Sequence, residues 1–317
     1  MCDDMAKNIL VALMMCMASF GVSAADRVTE VYDVVGADTL RLDFYRAQSD
    51  TLAPAMIFAF GGGFKGGQRD HESFMPMFEY LTRNGISVVS VDYRTMLGRV
   101  SAADMMSPEG FKSNLIAAID TAVTDFISAT AYVVNRKAKE WEIDPGKIFA
   151  CGSSAGAITV LQTEYDICNG DEAFLTSYAL PESFNYAGVI AMAGAICSQG
   201  SPRWGTTPCP LLMFHGDADA IVPFDQAVLG DFGLWGSNAV STGLAEGGIP
   251  HRFHRVNGAS HEVSGTPMSR YCGEIYDFIK SVCRNEEKSI VNTTEYIPGQ
   301  PPYKTDFTII DYIKANM

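Results

Sequence analysis

Gly152-Ser153-Ser154-Ala155-Gly156 combine a potential nucleophile with the small neighbours that a sharp turn needs. They follow the apolar run Lys147-Ile148-Phe149-Ala150-Cys151 and precede a helix-like run, Ala157-Ile158-Thr159-Val160-Leu161-Gln162. In that order of strand, turn and helix, a G-x-S-x-G turn sets a serine in strained φ/ψ at the tip of a sheet. Residues two positions away must lack bulk so that strand and helix can approach. Only Ser154 has glycine at both −2 and +2, so the frame selects it over Ser153. The pentapeptide alone is a weak signal, because Gly and Ser cluster in turns of every kind.

A second glycine cluster strengthens it. Pro54-Ala55-Met56-Ile57-Phe58-Ala59-Phe60 reads as a buried strand running into Gly61-Gly62-Gly63-Phe64-Lys65-Gly66-Gly67. A glycine run lets backbone N–H groups face a cavity without side chains in the way, as stabilisation of an oxyanion requires. A flexible loop is the ordinary reading of such a run. Its position roughly ninety residues ahead of the serine turn favours the chemical one. The expected donors are the N–H groups of Gly62, Gly63 and Ala155.

Two further segments follow in the chain order Ser, Asp, His. The apolar Pro210-Leu211-Leu212-Met213-Phe214 leads into His215-Gly216-Asp217-Ala218-Asp219-Ala220-Ile221-Val222-Pro223. The alternating His251-Arg252-Phe253-His254-Arg255-Val256 leads into Asn257-Gly258-Ala259-Ser260-His261-Glu262. Over about residues 28–284 the chain resembles the α/β-hydrolase superfamily, and within it esterases of the hormone-sensitive-lipase and feruloyl-esterase-like type. The resemblance rests on F-G-G-G-F, V-D-Y-R at Val91 to Arg94, G-S-S-A-G, H-G-D-A-D-x-x-V-P and G-A-S-H, and on their order and spacing. It implies Ser154 as nucleophile, His261 as base and Asp219 as acid. Asp217 is the rival acid, and the family pattern, four residues after the histidine of H-G, selects Asp219.

The same chemistry needs a base that accepts the serine proton and an acid that holds the imidazole in one tautomer. His215 is expected to be structural at a strand end, His251 and His254 to lie on a surface strand, and His71 to begin a solvated helix. The family's usual histidine ahead of the glycines is Phe60 here, so packing must order that loop.

The chain of 317 residues has 23 Lys and Arg against 37 Asp and Glu, a formal net charge of −14. Nucleic acid and anionic membranes require clustered positive charge, which makes both poor partners. Ile9 to Val22 is an apolar run ending at Val22-Ser23-Ala24, a small-residue cleavage site with Ala25 as the alternative. This is the pattern of a secretory leader over residues 1–24, with translation starting at Met5. It predicts a secreted or periplasmic protein. The run is short for a membrane anchor, and Met15 is too bulky for a lipoprotein site at Cys16. No later segment reads as long and apolar enough to span a bilayer.

Six cysteines remain beyond the leader. Cys272 and Cys283 are expected on one helix, roughly 16 Å apart and too far to join. Cys197 and Cys209 are expected at opposite ends of the sheet. Cys168 with Cys209 is the pair to inspect, with free buried thiols the expectation for most. No cysteine or histidine spacing suits zinc, and no cofactor or metal is expected.

The remaining pattern is an antiparallel hairpin over 28–48, buried strands at 54–60, 86–92, 147–151, 188–195 and 210–214, and helical periodicity from Phe111 to Lys139. Alternating strands and helices predict an α/β fold, with a mostly parallel sheet and helices on both faces. The catalytic domain is expected over 25–285, with 286–317 a surface extension ending in a short helix and carrying a sequon at Asn292. Segments 98–110, 165–186 and 231–250 are long enough to build a substrate pocket, the middle one carrying Tyr165, Phe174, Tyr178, Phe184 and Tyr186. Core packing is the equal alternative for those aromatics. A polar mouth with aromatic walls would suit short esters, including acyl groups on sugars or aryl acids. The resulting expectation is a secreted serine esterase acting on a small-molecule or carbohydrate-linked ester. A peptidase on the same fold and a non-catalytic binding protein are the rivals.

Overall fold

The computed structural model describes residues 27–170, 172–298 and 308–316. The leader and its cleavage site lie outside the described residues. Strands β1 (Arg27–Val35) and β2 (Asp38–Tyr45) form the expected antiparallel hairpin, turning at Gly36 with φ +61°. The other strands are β3 (Ala53–Ala59), β4 (Ser87–Val91), β5 (Ile143–Ser153), β6 (Gly188–Met192), β7 (Ala195–Gln199), β8 (Leu211–Gly216), β9 (Gln226–Leu229), β10 (Phe232–Gly236), β11 (His251–Asn257) and β12 (Ile290–Tyr296).

Among the described residues nine strands make one sheet in the order β1-β2-β4-β3-β5-β6-β8-β11-β12, with every pairing from β4 to β12 parallel. Strands covered on both faces need apolar side chains on both, which is why β4, β6 and β8 are buried throughout. β7, β10 and β9 form a separate small antiparallel sheet. The run expected over 188–195 therefore divides: β6 ends at Met192, and Ala193 turns the chain with φ +55°.

The helices are α1 (Met75–Arg83), α2 (Ala102–Met105), α3 (Pro108–Tyr132), α4 (Ala155–Asn169), α5 (Glu172–Ser177), α6 (Ser237–Glu246), α7 (Pro267–Arg270), α8 (Cys272–Cys283) and α9 (Ile309–Asn316). Ser107 caps α3 by accepting from Gly110 N at 2.9 Å, and a wide turn over Val133–Lys137 prolongs it. The continuous helix Pro108–Lys137 is long and apolar enough to cross a membrane, contrary to the sequence expectation. Most of that surface is buried against the rest of the fold, as in the core helix of a globular domain.

Two other expectations change. β11 is an inner strand between β8 and β12, so His251 and His254 are buried rather than superficial. His251 is held by Ser241 Oγ and Ile249 O, each at 2.8 Å, and His254 Nδ1 meets Glu274 at 2.8 Å. The tail expected to wrap the surface supplies β12, which covers β11, before the short terminal helix α9. The six cysteines among the described residues are free. Cys168 and Cys209 are not joined; both lie against buried Glu164, whose Oε1 accepts from Cys168 Sγ at 3.4 Å and Cys209 N at 2.7 Å. Cys272 and Cys283 stand at the two ends of α8, and Cys197 belongs to the small sheet on β7.

Candidate active site

The site lies where β3, β5, β8 and β11 end, the edge of a parallel sheet at which loops converge on ligands. Ser154 follows β5 with φ +53° and ψ −118°, a conformation that costs on the order of 1–3 kcal/mol and must be imposed by its surroundings. The two flanking glycines explain how. A Cβ on Gly152 would lie 2.2 Å from Gly156 O, and one on Gly156 would lie 2.1 Å from Ala59 O. Ser154 N donates to Met192 O at 2.8 Å, which ties the turn to β6.

Ser154 Oγ is 2.8 Å from His261 Nε2, and His261 Nδ1 is 2.8 Å from Asp219 Oδ2. A carboxylate only accepts, so Nδ1 carries the proton and Nε2 is free to accept from the serine hydroxyl. Asp219 Oδ1 accepts from Ile221 N at 2.8 Å and Val222 N at 3.0 Å. His215 Nε2 approaches Asp219 Oδ2 at 3.3 Å, and its Nδ1 meets Ser237 Oγ at 2.8 Å. Burial by itself would raise the Asp219 carboxyl, but hydrogen bonds from His215 and His261 outweigh it and hold the group well below the usual carboxylate range.

The two rival residues have other partners. Ser153 Oγ donates to Ser264 O at 2.8 Å, linking the serine turn to the segment after His261. Asp217 accepts from Arg255 Nε at 2.7 Å, Asn257 Nδ2 at 2.8 Å and Gly258 N at 2.7 Å. It secures the loop that carries His261 and does not touch the imidazole.

Gly62 and Gly63 line the same cavity as Ser154 and Ala155, and among the described residues neither amide donates elsewhere. Gly62 has φ +134°, and a Cβ there would stand 2.1 Å from Gly66 O, so no other residue preserves this loop. Ala155 opens α4, where the first amides have no partner within the helix. Phe60 packs as expected: it is buried and stacks on Tyr93, with centroids 4.4 Å apart. Tyr93 OH also donates to Phe60 O at 2.7 Å. The V-D-Y-R segment thus braces the glycine loop. Asp92 pairs with Arg69 and Arg94 with Asp125 on either side of that tyrosine.

A cavity of about 830 Å³ opens over Ser154 and His261. Its apolar walls include Phe64, Phe74, Leu97, Phe111, Met268 and Tyr312. Among the described residues none of the segments 98–110, 165–186 and 231–250 contributes to it, which corrects the expected source of the walls. Of the middle segment's aromatics, Tyr186 is buried in the core against Phe126 of α3, Phe174, Tyr178 and Phe184 pack half-buried against the core, and Tyr165 meets Trp204. His71 begins a short helical turn at Glu72–Phe74, is exposed, and borders the cavity. Sequence reasoning missed the orienting contact of His215, the brace of Tyr93 and the wall residues. V-D-Y-R carries a signal for Tyr93, F-G-G-G-F for Phe64 and H-G-D-A-D for His215, while Phe111, Met268 and Tyr312 belong to none of the motifs.

The strand order, the serine turn and the position of the site at the strand ends together define the α/β-hydrolase fold, and the molecule has it. Similar solved structures include the native thermophilic esterase 2 of the planctomycete Thermogutta terrifontis, with TM-score 0.57 and 20% identity, covering 83% of this chain and 94% of that one. Its butyrate-bound form superposes with TM-score 0.58 at 19% identity, covering 83% and 95%. A form phosphoramylated by tabun gives TM-score 0.57 at 20% identity, covering 84% and 97%. In sequence, 109 residues are 32% identical to fumonisin B1 esterase of Sphingopyxis macrogoltabida. That match spans 33% of this chain and 18% of that enzyme. No protein-family model matches the chain.

Proposed function

We propose that the protein is a serine esterase that hydrolyses short carboxylic esters. The observation that carries this reading is the hydrogen-bonded line from Ser154 through His261 to Asp219, set beside uncommitted amides at the floor of an apolar cavity. Ser154 Oγ attacks the ester carbonyl while His261 Nε2 takes its proton. The carbonyl oxygen becomes an oxyanion, met by the amides of Gly62, Gly63 and Ala155. His261 then protonates the departing alcohol, and a water activated by the same imidazole releases the acid. Asp219 keeps the imidazole in the productive tautomer and stabilises its charged form.

The apolar walls favour an acyl or aryl group over a peptide, and the similar esterase that binds butyrate supports a short chain. The similarity to fumonisin B1 esterase supports an ester as the bond cleaved. Purified protein incubated with a fluorophosphonate probe should be labelled on Ser154, and nitrophenyl esters should be turned over with a maximum at about two to six acyl carbons. Absence of both labelling and turnover would refute the assignment. Active amidase turnover without ester turnover would replace it with a peptidase.

We also propose export, on the strength of the leader pattern over residues 1–24. The mature protein from its native host should begin at Ala25 or Asp26 by mass spectrometry. An intact Met1, or a lipid on Cys16, would contradict this.

A further inference from the structure

The C-terminal helix α9 adds to the cavity a wall that no motif announces. Thr308 and Asp311 cap its first turn reciprocally. Thr308 N and Oγ1 donate to Asp311 Oδ2 at 2.9 and 2.7 Å, and Asp311 N donates to Thr308 Oγ1 at 3.2 Å. Capping alone does not hold eight residues helical in water, since helices this short are marginal without tertiary packing. Tyr312 supplies the packing. It is 3% exposed, whereas Ile310 on the same helix is 58% exposed. Its ring meets Phe111 of α3 edge-on with centroids 5.8 Å apart, and it lines the cavity together with Leu115, Ile221 and Val222. Ile221 and Val222 are the residues whose amides hold Asp219. Burial pushes the Tyr312 hydroxyl well above its ordinary range, with the Asp219 carboxylate adding to the effect.

We propose that Tyr312 is a specificity-determining residue, closing one wall of the cavity so that its ring sets the length of the ester that fits beside Ser154. The proposal rests on the esterase reading and deepens it. A tyrosine ring standing in an apolar pocket excludes several methylenes, and one methylene more or less in such a pocket changes discrimination by about 10- to 200-fold. Because the residue belongs to a tail beyond every recognisable motif, the pocket is complete only when that tail is docked.

The test uses the full chain and its Tyr312→Ala, Tyr312→Trp and Ile310→Ala variants, assayed on two ester series. One series lengthens the acyl group at fixed alcohol, and the other lengthens the alcohol at fixed acetyl. Tyr312→Ala should shift kcat/KM toward longer members of one series by at least about tenfold relative to acetate. Tyr312→Trp should shift it the opposite way, and Ile310→Ala should leave the profile unchanged. The parent and Ile310→Ala should label with a small fluorophosphonate at similar rates, and labelling of the two Tyr312 variants at Ser154, at whatever rate, shows that the nucleophile is still assembled. Unchanged length profiles in both series for Tyr312→Ala and Tyr312→Trp would overturn the proposal while leaving the esterase reading intact. Failure of the unmodified protein to label or to cleave any ester would instead remove the reading beneath it.

Discussion

The floor of the cavity and its walls follow different rules. The floor is made by strand ends: the glycines after β3, the serine turn after β5, the acid loop after β8 and the histidine loop after β11. Each must present one atom within hydrogen-bond distance of the next, so residue type is dictated almost position by position. The walls come from the start of α3, from α7 and from α9, through Phe111, Leu115, Met268 and Tyr312. A wall need only be apolar and of the right volume. Many residues meet that requirement, and no spacing betrays it. Chemistry thus leaves a motif in the chain, while selectivity leaves only a shape in the fold.

The contrast is open to direct attack. The largest effect belongs to the floor: Ser154→Ala should lower kcat on nitrophenyl acetate by about 10⁴- to 10⁶-fold with an unchanged far-ultraviolet spectrum. Ser153→Ala, which removes only the bond to Ser264 O, should stay within about tenfold of the parent. Near-parental turnover in Ser154→Ala would break the comparison outright.

Next come the two aspartates of one loop, compared at equal folded fraction. Asp219→Asn disturbs the imidazole tautomer and should reduce kcat by about 10²- to 10⁴-fold. Asp217→Asn weakens the loop anchor to Arg255, Asn257 and Gly258, and should cost about 1–3 kcal/mol of stability with kcat changed less than tenfold. Equal kinetic losses would show that the loop acts as a unit.

A smaller effect is expected at the brace. Tyr93→Phe leaves Phe60 O without its buried donor, so stability should fall by about 1 kcal/mol, with kcat several-fold lower and KM nearly constant. A change confined to KM would mean that the glycine loop serves binding rather than the oxyanion.

The smallest prediction lies away from the cavity and serves as a control on the other measurements. Burial raises Asp166 to about 6, opposed by the hydrogen bond from Gln162 and aided by the nearby charge of Asp120. A carboxyl raised in the folded state favours folding below its unfolded value of about 3.9, and that contribution is lost as pH rises through the folded value. Asp166→Asn should therefore flatten the decline in stability between about pH 4 and 6, and gain on the order of 1 kcal/mol at pH 7 in urea titrations, since the group is only partly buried. Kinetic constants should not move.

The order of motifs makes the nucleophile turn and the glycine loop legible in the sequence, because each depends on a local backbone shape that few residues tolerate, whereas the preference for Asp219 over Asp217 comes from the family resemblance alone. His251 and His254 were misplaced for a different reason. Their alternating pattern describes a strand with one open face, and only the pairing of β12 from the distant tail makes β11 an inner strand. The aromatics of 165–186 were read as equally suited to pocket or core, since periodicity cannot tell which neighbour a ring will meet. His215 looked like a strand-end residue and is one, yet its approach to Asp219 depends on the curl of the loop back over its own strand.

The sequence by itself determined the alternation of strand and helix, the hairpin at the start and the chemistry available at the strand ends. These are local matters: an apolar run, a glycine with no room for a Cβ and a serine between two glycines constrain their own neighbourhood whatever lies elsewhere. The tertiary structure alone decided that Ser154, His261 and Asp219 meet at 2.8 Å, that Tyr93 supports Phe60, and that the last helix returns to place Tyr312 over the site. Those contacts join residues far apart in the chain. They form because a twisted parallel sheet gathers its strand ends at one edge and buries there whatever apolar surface the rest of the chain brings.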